Sequence, residues 1–286
     1  MNLKKSEFHA VFDRTESRDA FYRFLQVVFH LYPEDKFHHL IHKVCGEHDN
    51  DEAIYREVQQ RLPDIKPLLS ELTFALPALR KQKAEMTKET LELLVDRQPV
   101  QGYLEIGSTG RYVSDLRKHI IFKGPIYLLN DVAPTNSPGD ILERGQLSKL
   151  GQFIPLNNYA PITAETIPDA SLDLASIYIG FHHCPADRLS GFIESIHRTL
   201  RPGASLIVRD HDVQTPEMST FVSLVHTVFN LGLGASWEVD SSDTKDFRPI
   251  QAWSDLLASH GFTSTGKVLF QPNDPSDNAL IRVVKN

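Results

Sequence analysis

Residues 167–210, IPDASLDLASIYIGFHHCPADRLSGFIESIHRTLRPGASLIVRD, decide the fold of this chain. Two apolar, β-rich runs lie within them, LDLASIYIG at 172–180 and ASLIVRD at 204–210, and an amphipathic stretch separates the two. A strand, a helix and a second strand in this order predict two parallel strands joined by a crossover helix. We therefore expect an α/β fold.

The same alternation extends on both sides of this segment. Further β-rich runs are GYLEI at 102–106, PIYLLND at 125–131, TGKVLF at 265–270 and NALIRVVKN at 278–286. The last two runs are joined by QPNDPSDN, which is too short to contain a crossover helix. The pattern predicts a mostly parallel sheet that ends in an antiparallel hairpin at one edge.

The first 97 residues have a different character. Apolar residues recur there at helical spacing, as in DAFYRFLQVVFHLY and DEAIYREVQQRL, and Gly46 is the only glycine. Four or five helices are expected. We therefore predict an all-α N-terminal domain at 1–97 and an α/β domain at 98–286. The helical domain is expected to cover a cofactor cleft, to contact substrate or to mediate dimerisation, and the sequence does not choose among these roles.

Charge, cysteine content and apolar runs indicate which partners and which compartment to expect. The formal net charge of −7 argues against nucleic acid, because phosphate binding usually rests on a basic face. The two cysteines, Cys45 and Cys184, are far apart in the chain, which is typical of a reducing compartment. The N-terminal residues do not resemble a signal peptide, and no apolar run is long enough to cross a bilayer. We expect a cytoplasmic protein with no membrane partner, and a homodimer is among the expected assemblies.

A glycine-bearing turn follows the first predicted strand, in QGYLEIGSTGRYV at 101–113. Its glycines do not have the G-x-G-x-x-G spacing of a dinucleotide fingerprint, and no lysine follows them as in a P-loop. What remains is an acid, Glu105, at the end of the strand. A second acid, Asp131, ends the next strand, where it can accept hydrogen bonds from the hydroxyls of a ribose.

Together with PDASLDL, HHCP and IHRTLRPGASLIV, these features resemble the class I S-adenosylmethionine-dependent methyltransferases over residues 98–286. The resemblance implies a Rossmann-like, mostly parallel seven-stranded sheet with an antiparallel C-terminal hairpin, and S-adenosyl-L-methionine as cofactor. It also implies a lid insertion around 213–250. We expect methyl transfer to an oxygen or nitrogen atom of a small or medium-sized acceptor.

The resemblance also assigns residues to the cofactor. Thr109 stands where the family usually has a glycine, so the turn departs from the family pattern. Three alternatives stay open: Glu105 as a helix cap, Asp131 as a solvated turn residue and Val132 as core. The residues expected to bind the cofactor are Glu105, Gly107, Ser108, Thr109, Gly110, Asp131, Val132, Thr163, Ala164 and Gly180.

The runs LDLASIYIG and ASLIVRD resemble the fourth and fifth strands of the family, and ionisable residues lie at their ends, where α/β folds bind ligands. A histidine can accept the proton of a hydroxyl or an ammonium, and a neighbouring carboxylate raises its basicity. We expect His211, His182 and Asp210 to be catalytic, with the alternative that His182 and His183 cap the following helix or satisfy the loop. The residues expected to contact substrate are His183, Arg209, Asp212, Phe247 and Arg248.

Three other interpretations compete with these assignments. His38 and His42, with Cys45 nearby, have a spacing that can bind zinc, but no confident fourth ligand accompanies them, so a solvated amphipathic helix is preferred and no metal is predicted. A regulatory protein that binds the cofactor without catalysis is the first rival function. A nicotinamide-dependent oxidoreductase is the second.

Overall fold

A computed structural model describes residues 6–65, 76–94, 99–137, 140–141, 144–145 and 147–286. Contacts divide the chain into two compact units. The first comprises Met1–Leu79, Val213–Phe247 and Gln271–Asp277, and the second comprises Arg80–Asp212, Arg248–Phe270 and Asn278–Asn286. The predicted domain limit between residues 97 and 98 lies outside the described residues. The predicted lid segment belongs to the first unit as far as Phe247, and its role as a lid stays a prediction.

The helices and strands are named here in chain order. The helices are α1 Glu7–Phe12, α2 Thr15–Phe24, α3 Glu34–Cys45, α4 Asp51–Ile65, α5 Leu76–Leu93, α6 Val113–Leu116, α7 Ala186–Thr199, α8 Pro216–Gly232, α9 Trp237–Ser241 and α10 Ile250–Ser259, with a π-helical turn at Leu25–Phe29. The strands are β1 Tyr103–Ile106, β2 Ile126–Asn130, β3 Gln152–Pro155, β4 Leu172–Ile177, β5 Leu200–His211, β6 Phe262–Phe270 and β7 Asn278–Lys285.

The second unit is built on one seven-stranded sheet with the order β3-β2-β1-β4-β5-β7-β6. The first five strands pair in parallel, and β7 is antiparallel to both β5 and β6. The predicted Rossmann-like sheet with an antiparallel C-terminal hairpin is confirmed. Because parallel strands point the same way, the residues after β1, β2, β4 and β5 meet at one edge of the sheet.

Strand β3 was not among the β-rich runs found in the sequence. It is four residues long and forms an edge of the sheet, and of its residues only Ile154 is buried. An edge strand of this kind needs no apolar run. The sequence therefore had no strong strand pattern at this point.

Alternate side chains of the sheet point to opposite faces and build two apolar clusters in the second unit. Leu104 and Ile106 of β1 contribute to the cluster that includes α7 and α10. Tyr103 of the same strand contributes to the cluster that includes α5 and α6. Helices thus cover both faces of the sheet, as a mostly parallel sheet requires.

The first unit is helical. The apolar side chains of α1 to α4 form one buried cluster with those of α8, a helix that follows β5 in the sequence. Two tyrosines strengthen this packing, because the Tyr32 hydroxyl donates to the Gly232 carbonyl at 3.0 Å and the Tyr55 hydroxyl to the Ala235 carbonyl at 2.8 Å. None of the described helices has the length and apolar composition needed to cross a bilayer.

Candidate functional site

The turn after β1 is held by a glycine that the fold itself requires. Gly107 has φ +80°, and a Cβ atom there would lie 2.3 Å from the Ile179 side chain. A side chain at this position would be strained by its backbone and would clash with a neighbour. Gly107 therefore allows the segment after β4 to approach the turn closely, whether or not a ligand is bound.

Glu105 is fully buried beneath this turn. Its carboxylate accepts hydrogen bonds from the backbone N–H groups of Tyr112 at 3.1 Å and Val113 at 2.7 Å, and from the Ser108 hydroxyl. Burial raises the pKa of Glu105, and these hydrogen bonds act in the opposite direction. The contacts match the helix-cap alternative, because they fix the chain at the start of α6. A contact between Glu105 and a cofactor stays a prediction.

The hydroxyl groups of Ser108 and Thr109 in this turn differ in their hydrogen bonding. The Ser108 hydroxyl accepts from the backbone N–H groups of Gly110 at 3.1 Å and Arg111 at 3.0 Å. The Thr109 hydroxyl is buried and has no hydrogen-bond partner within the described part of the chain. A buried hydroxyl normally has a partner, so Thr109 is the group of this turn that a ligand could satisfy.

The end of β2 presents an exposed acid beside a small pocket. Asp131 follows β2 directly and is exposed, and the next residue, Val132, is 64% exposed. The core alternative for Val132 is therefore wrong, whereas packing on an adenine stays a prediction. A cavity of about 210 Å³ lies at β2 and β3 with Thr163 in its wall, and Ala164 is exposed next to Thr163.

A histidine and an aspartate meet where β4 and β5 end. The Nδ1 atom of His182 lies 2.7 Å from Oδ1 of Asp210, and the two side chains are 2% and 0% exposed. The other carboxylate oxygen accepts from the backbone N–H of Phe181 at 2.8 Å, while Oδ1 also accepts from that of His211 at 2.8 Å. Burial raises the pKa of Asp210 to about 6. The carboxylate is thus ionised at neutral pH, and it orients the imidazole of His182.

The two side chains can meet because residue 180 is a glycine. Gly180 has φ +85°, and a Cβ atom there would lie 2.5 Å from Nδ1 of His182 and 2.7 Å from Oδ2 of Asp210. His182 and Asp210 were both expected to be catalytic, but their pairing with each other was not predicted from the sequence. The available clue was the position of His182 and Asp210 after neighbouring strands, with a glycine just ahead of the histidine.

The other predicted residues of this edge surround the pair. The rings of His183 and His211 lie 4.2 Å and 5.5 Å from the His182 ring, measured between centroids. The Asp212 carboxylate accepts from the backbone N–H of Ile250 at 2.8 Å, which fixes the start of α10. Arg209 is half-buried, and its positive charge acts on Glu89 of α5. Substrate contacts by these residues stay predictions.

Phe247 and Arg248 belong to different units. Phe247 lies in the first unit, where its ring is 5.1 Å from that of His226. Arg248 lies in the second unit, and its guanidinium stacks over the Trp253 ring at 4.9 Å from the centroid. Trp253 is fully buried, as expected of a core residue. A contact between Arg248 and a substrate stays a prediction.

The alternative zinc ligands have other roles. The Nε2 atom of His38 contacts the Arg18 carbonyl at 3.2 Å, and that of His42 contacts the Arg18 guanidinium at 3.3 Å. Cys45 is buried, and burial raises the pKa of its thiol to about 12. Among the described residues, these three side chains do not come together as a metal-binding group.

Several solved structures are similar to this chain. The carbon methyltransferase CurJ is similar over 94% of this chain and 70% of its own, with a TM-score of 0.51 and 14% identity. The 1,6-didemethyltoxoflavin-N1-methyltransferase of Burkholderia thailandensis, solved with S-adenosylhomocysteine, covers 73% of this chain and 79% of its own, with a TM-score of 0.46 and 15% identity. The [4+2]-cyclase SpnF covers 70% and 80%, with a TM-score of 0.47 and 15% identity. No family model and no curated protein sequence matches the chain.

The resemblance to class I methyltransferases is confirmed at the level of the fold. The carbon methyltransferase supports this conclusion, and the strand order and the antiparallel β7 agree with it. A shared fold does not define a reaction, because one fold hosts many chemistries. The function has to be argued from the strand ends described above.

Proposed function

We propose that this protein is an S-adenosylmethionine-dependent methyltransferase that acts on an oxygen or nitrogen atom of a small or medium-sized acceptor. The observation that carries the proposal is the buried His182–Asp210 pair at the carboxyl edge of a methyltransferase-type sheet. We place the protein in the cytoplasm on the sequence arguments given above, and a homodimer stays among the expected assemblies.

The residues after β1 and β2 fit the cofactor. The unsatisfied hydroxyl of Thr109 lies in the turn that would face the methionine portion, and Asp131 offers an exposed carboxylate for ribose hydroxyls. The cavity beside Thr163 offers room for an adenine edge between polar and apolar walls. When bound, the cofactor would supply an activated methyl group on a sulfonium.

The chain would contribute a base and its orientation. With the Nδ1 proton donated to Asp210, the neutral imidazole of His182 keeps a lone pair on Nε2. Nε2 is buried, so an acceptor has to displace neighbouring residues to reach it. It would then accept the proton of the acceptor hydroxyl or ammonium, and Asp210 would stabilise the imidazolium that forms. Since both side chains are buried, the positive charge would be compensated within the protein instead of by water.

Calorimetric titration and methyl transfer test the proposal separately. We expect the wild-type chain to bind S-adenosylhomocysteine, and Asp131→Ala to weaken binding by about 1.5 to 3 kcal/mol for each charge-assisted hydrogen bond lost. His182→Ala should abolish most transfer from S-adenosylmethionine to a panel of phenols and amines, with S-adenosylhomocysteine affinity unchanged. Full activity of His182→Ala would remove it as the base, and binding of nicotinamide dinucleotides alone would replace the whole proposal.

A regulatory protein that binds the cofactor without catalysis is the second candidate. The observation that favours it is the turn itself, in which Thr109 replaces a customary glycine and Ile179 packs against Gly107. This candidate predicts S-adenosylhomocysteine binding with no transfer to any acceptor of the panel. His211→Ala gives a further distinction, because it should lower turnover only if the protein is an enzyme.

A further inference from the structure

The first unit contains a cavity of about 700 Å³ that the proposed function does not use. It is open to solvent on one side and is bordered by the start of α1, the start of α4, one face of α8, and α9 with the residues that follow it. A cavity of this size accommodates a small organic molecule. Every residue in its wall belongs to the first unit, so the cavity is a property of that unit alone.

Its wall carries far more negative than positive charge. Such a wall raises the local concentration of cations, and its low-dielectric surroundings strengthen the effect. The pair between Glu52 and Arg56, at 3.0 Å, weakens the field at one rim. The charged residues of the wall are Glu7, Asp51, Glu52, Asp240, Asp243 and Lys245.

One ammonium group is already held in this wall. The Nζ atom of Lys245 donates to the Thr227 hydroxyl at 2.8 Å and lies 3.5 Å from the Asp240 carboxylate. Asp240 is 2% exposed and also accepts from the Asn230 amide at 2.8 Å. The geometry shows that hydroxyl and carboxylate oxygens here solvate an ammonium within a partly enclosed space.

The rest of the wall suits an aromatic body. The Trp237 ring is half-buried and packs edge-on against Tyr55, with 5.5 Å between ring centroids, and Phe247 also lines the cavity. A cation or an aromatic ring can bind favourably against such rings. Ser219, Ser223 and Thr227 lie at helical spacing on one face of α8 and add hydroxyl groups between the aromatic and acidic sides.

We propose that this cavity binds a small arylalkyl amine in its ammonium form, with the ammonium on the acidic side and the ring against Trp237 and Phe247. The inference does not rest on methyltransferase activity, because no cofactor is needed to fill the cavity. It therefore stands or falls independently of the function proposed above.

The test uses the full chain and two probes that share a ring but differ in charge, phenethylammonium and phenylacetate. Calorimetry at neutral pH should show phenethylammonium binding at least about tenfold more tightly than phenylacetate. Asp240→Asn should weaken phenethylammonium about tenfold. Ser223→Leu adds an apolar side chain to the hydroxyl-bearing face of the cavity without changing its charge, and should weaken phenethylammonium binding at least about tenfold even if Asp240→Asn does not fold.

A matched control separates the cavity from the general acidity of the protein. Glu217→Gln removes an exposed acid from the first turn of α8, outside the cavity wall, and should leave the affinity unchanged. The proposal is overturned if neither probe binds or if phenylacetate binds equally well. It is also overturned if Ser223→Leu retains wild-type affinity, or if Glu217→Gln weakens binding as much as Asp240→Asn does.

Discussion

At the scale of single residues, two glycines with left-handed backbones allow a direct comparison. Gly180 and Gly203 have φ values of +85° and +79°. An added Cβ atom would meet the His182–Asp210 pair at position 180, but would meet nothing within 4 Å at position 203. The two positions therefore share a backbone cost and differ in steric cost.

We predict that Gly203→Ala lowers the free energy of unfolding only by the cost of its left-handed backbone, about 1 to 2 kcal/mol. Gly180→Ala should lose more, and it should also displace His182 or Asp210. Urea unfolding measures the difference in stability, and methyl transfer measures the effect on the pair. Equal losses of stability with unchanged turnover would show that the pair tolerates a side chain at position 180.

Glu105 gives a second prediction at this scale. Replacing its carboxylate with an amide puts N–H groups against backbone donors, so Glu105→Gln should lower the free energy of unfolding by on the order of 3 kcal/mol. Urea unfolding measures this loss, and Glu165→Gln, a change at an exposed acid, serves as control. A stable Glu105→Gln variant that binds S-adenosylhomocysteine poorly would instead favour a direct cofactor contact.

At the scale of elements, helix α5 carries two acids with opposite electrostatic environments. Glu89 is 6% exposed, and burial raises its pKa to about 7 against the attraction of Arg209. Glu92 is 47% exposed and pairs with Lys267 at 2.8 Å, which lowers its pKa. The helix thus contains its own control for a pH experiment.

The buried acid should make the protein less stable as the pH rises. Between its unfolded and folded pKa values, Glu89 binds more protons in the native state, so stability falls through this window. The loss from about pH 5 to about pH 8 should reach up to about 3 kcal/mol from this group. Asp210 should add to the same slope, since its pKa is also raised.

Glu89→Gln should therefore flatten the pH dependence of urea unfolding and stabilise the protein at about pH 8. Glu92→Gln should leave that dependence nearly unchanged, because an exposed pair contributes little. An unchanged slope in Glu89→Gln would mean that Glu89 reaches water in the native state or keeps its charge through Arg209.

At the scale of the whole molecule, the first unit depends on a helix that is distant in sequence. Leu224 of α8 is fully buried in the cluster formed with α1 to α4, whereas Leu233, just after α8, is 71% exposed. Leu224→Ala should cost about 2 to 5 kcal/mol, and Leu233→Ala should cost little. Hydrogen exchange should rise throughout α1 to α4 in the first variant only. If α1 to α4 of Leu224→Ala exchange as slowly as in the wild type, those helices do not depend on the packing of α8.

The sequence predicted the sheet more completely than the helical unit for a physical reason. Buried parallel strands produce apolar runs in the sequence. The QPNDPSDN connection is too short for a crossover helix, so the two strands it joins have to form an antiparallel hairpin. The docking of α8 on α1 to α4 depends on long-range packing, which local periodicity does not encode. The segment around 213–250 was therefore expected to be an insertion of the α/β domain.

For the candidate site, too, some features were predicted from the sequence and others were not. His182, Asp210 and Asp131 were predicted as site residues because ligands bind after the strands of α/β sheets, and Thr109 was predicted through the family resemblance. The partner of Asp210 was not found, because strand alternation does not say which side chain of a following loop turns back to meet it. The internal use of Glu105 was foreseen only as an alternative, since a strand-end acid can face either a ligand or a helix start.

The origin of the first unit from separate parts of the chain has a consequence for biosynthesis. Helices α1 to α4 leave the ribosome first, but α8 is made only after β1 to β5. Throughout that interval the apolar faces of the early helices lack the helix that covers them in the finished protein. Helices α1 to α4 are thus made well before their packing in the first unit can be completed, and apolar surface exposed in this way is prone to aggregation.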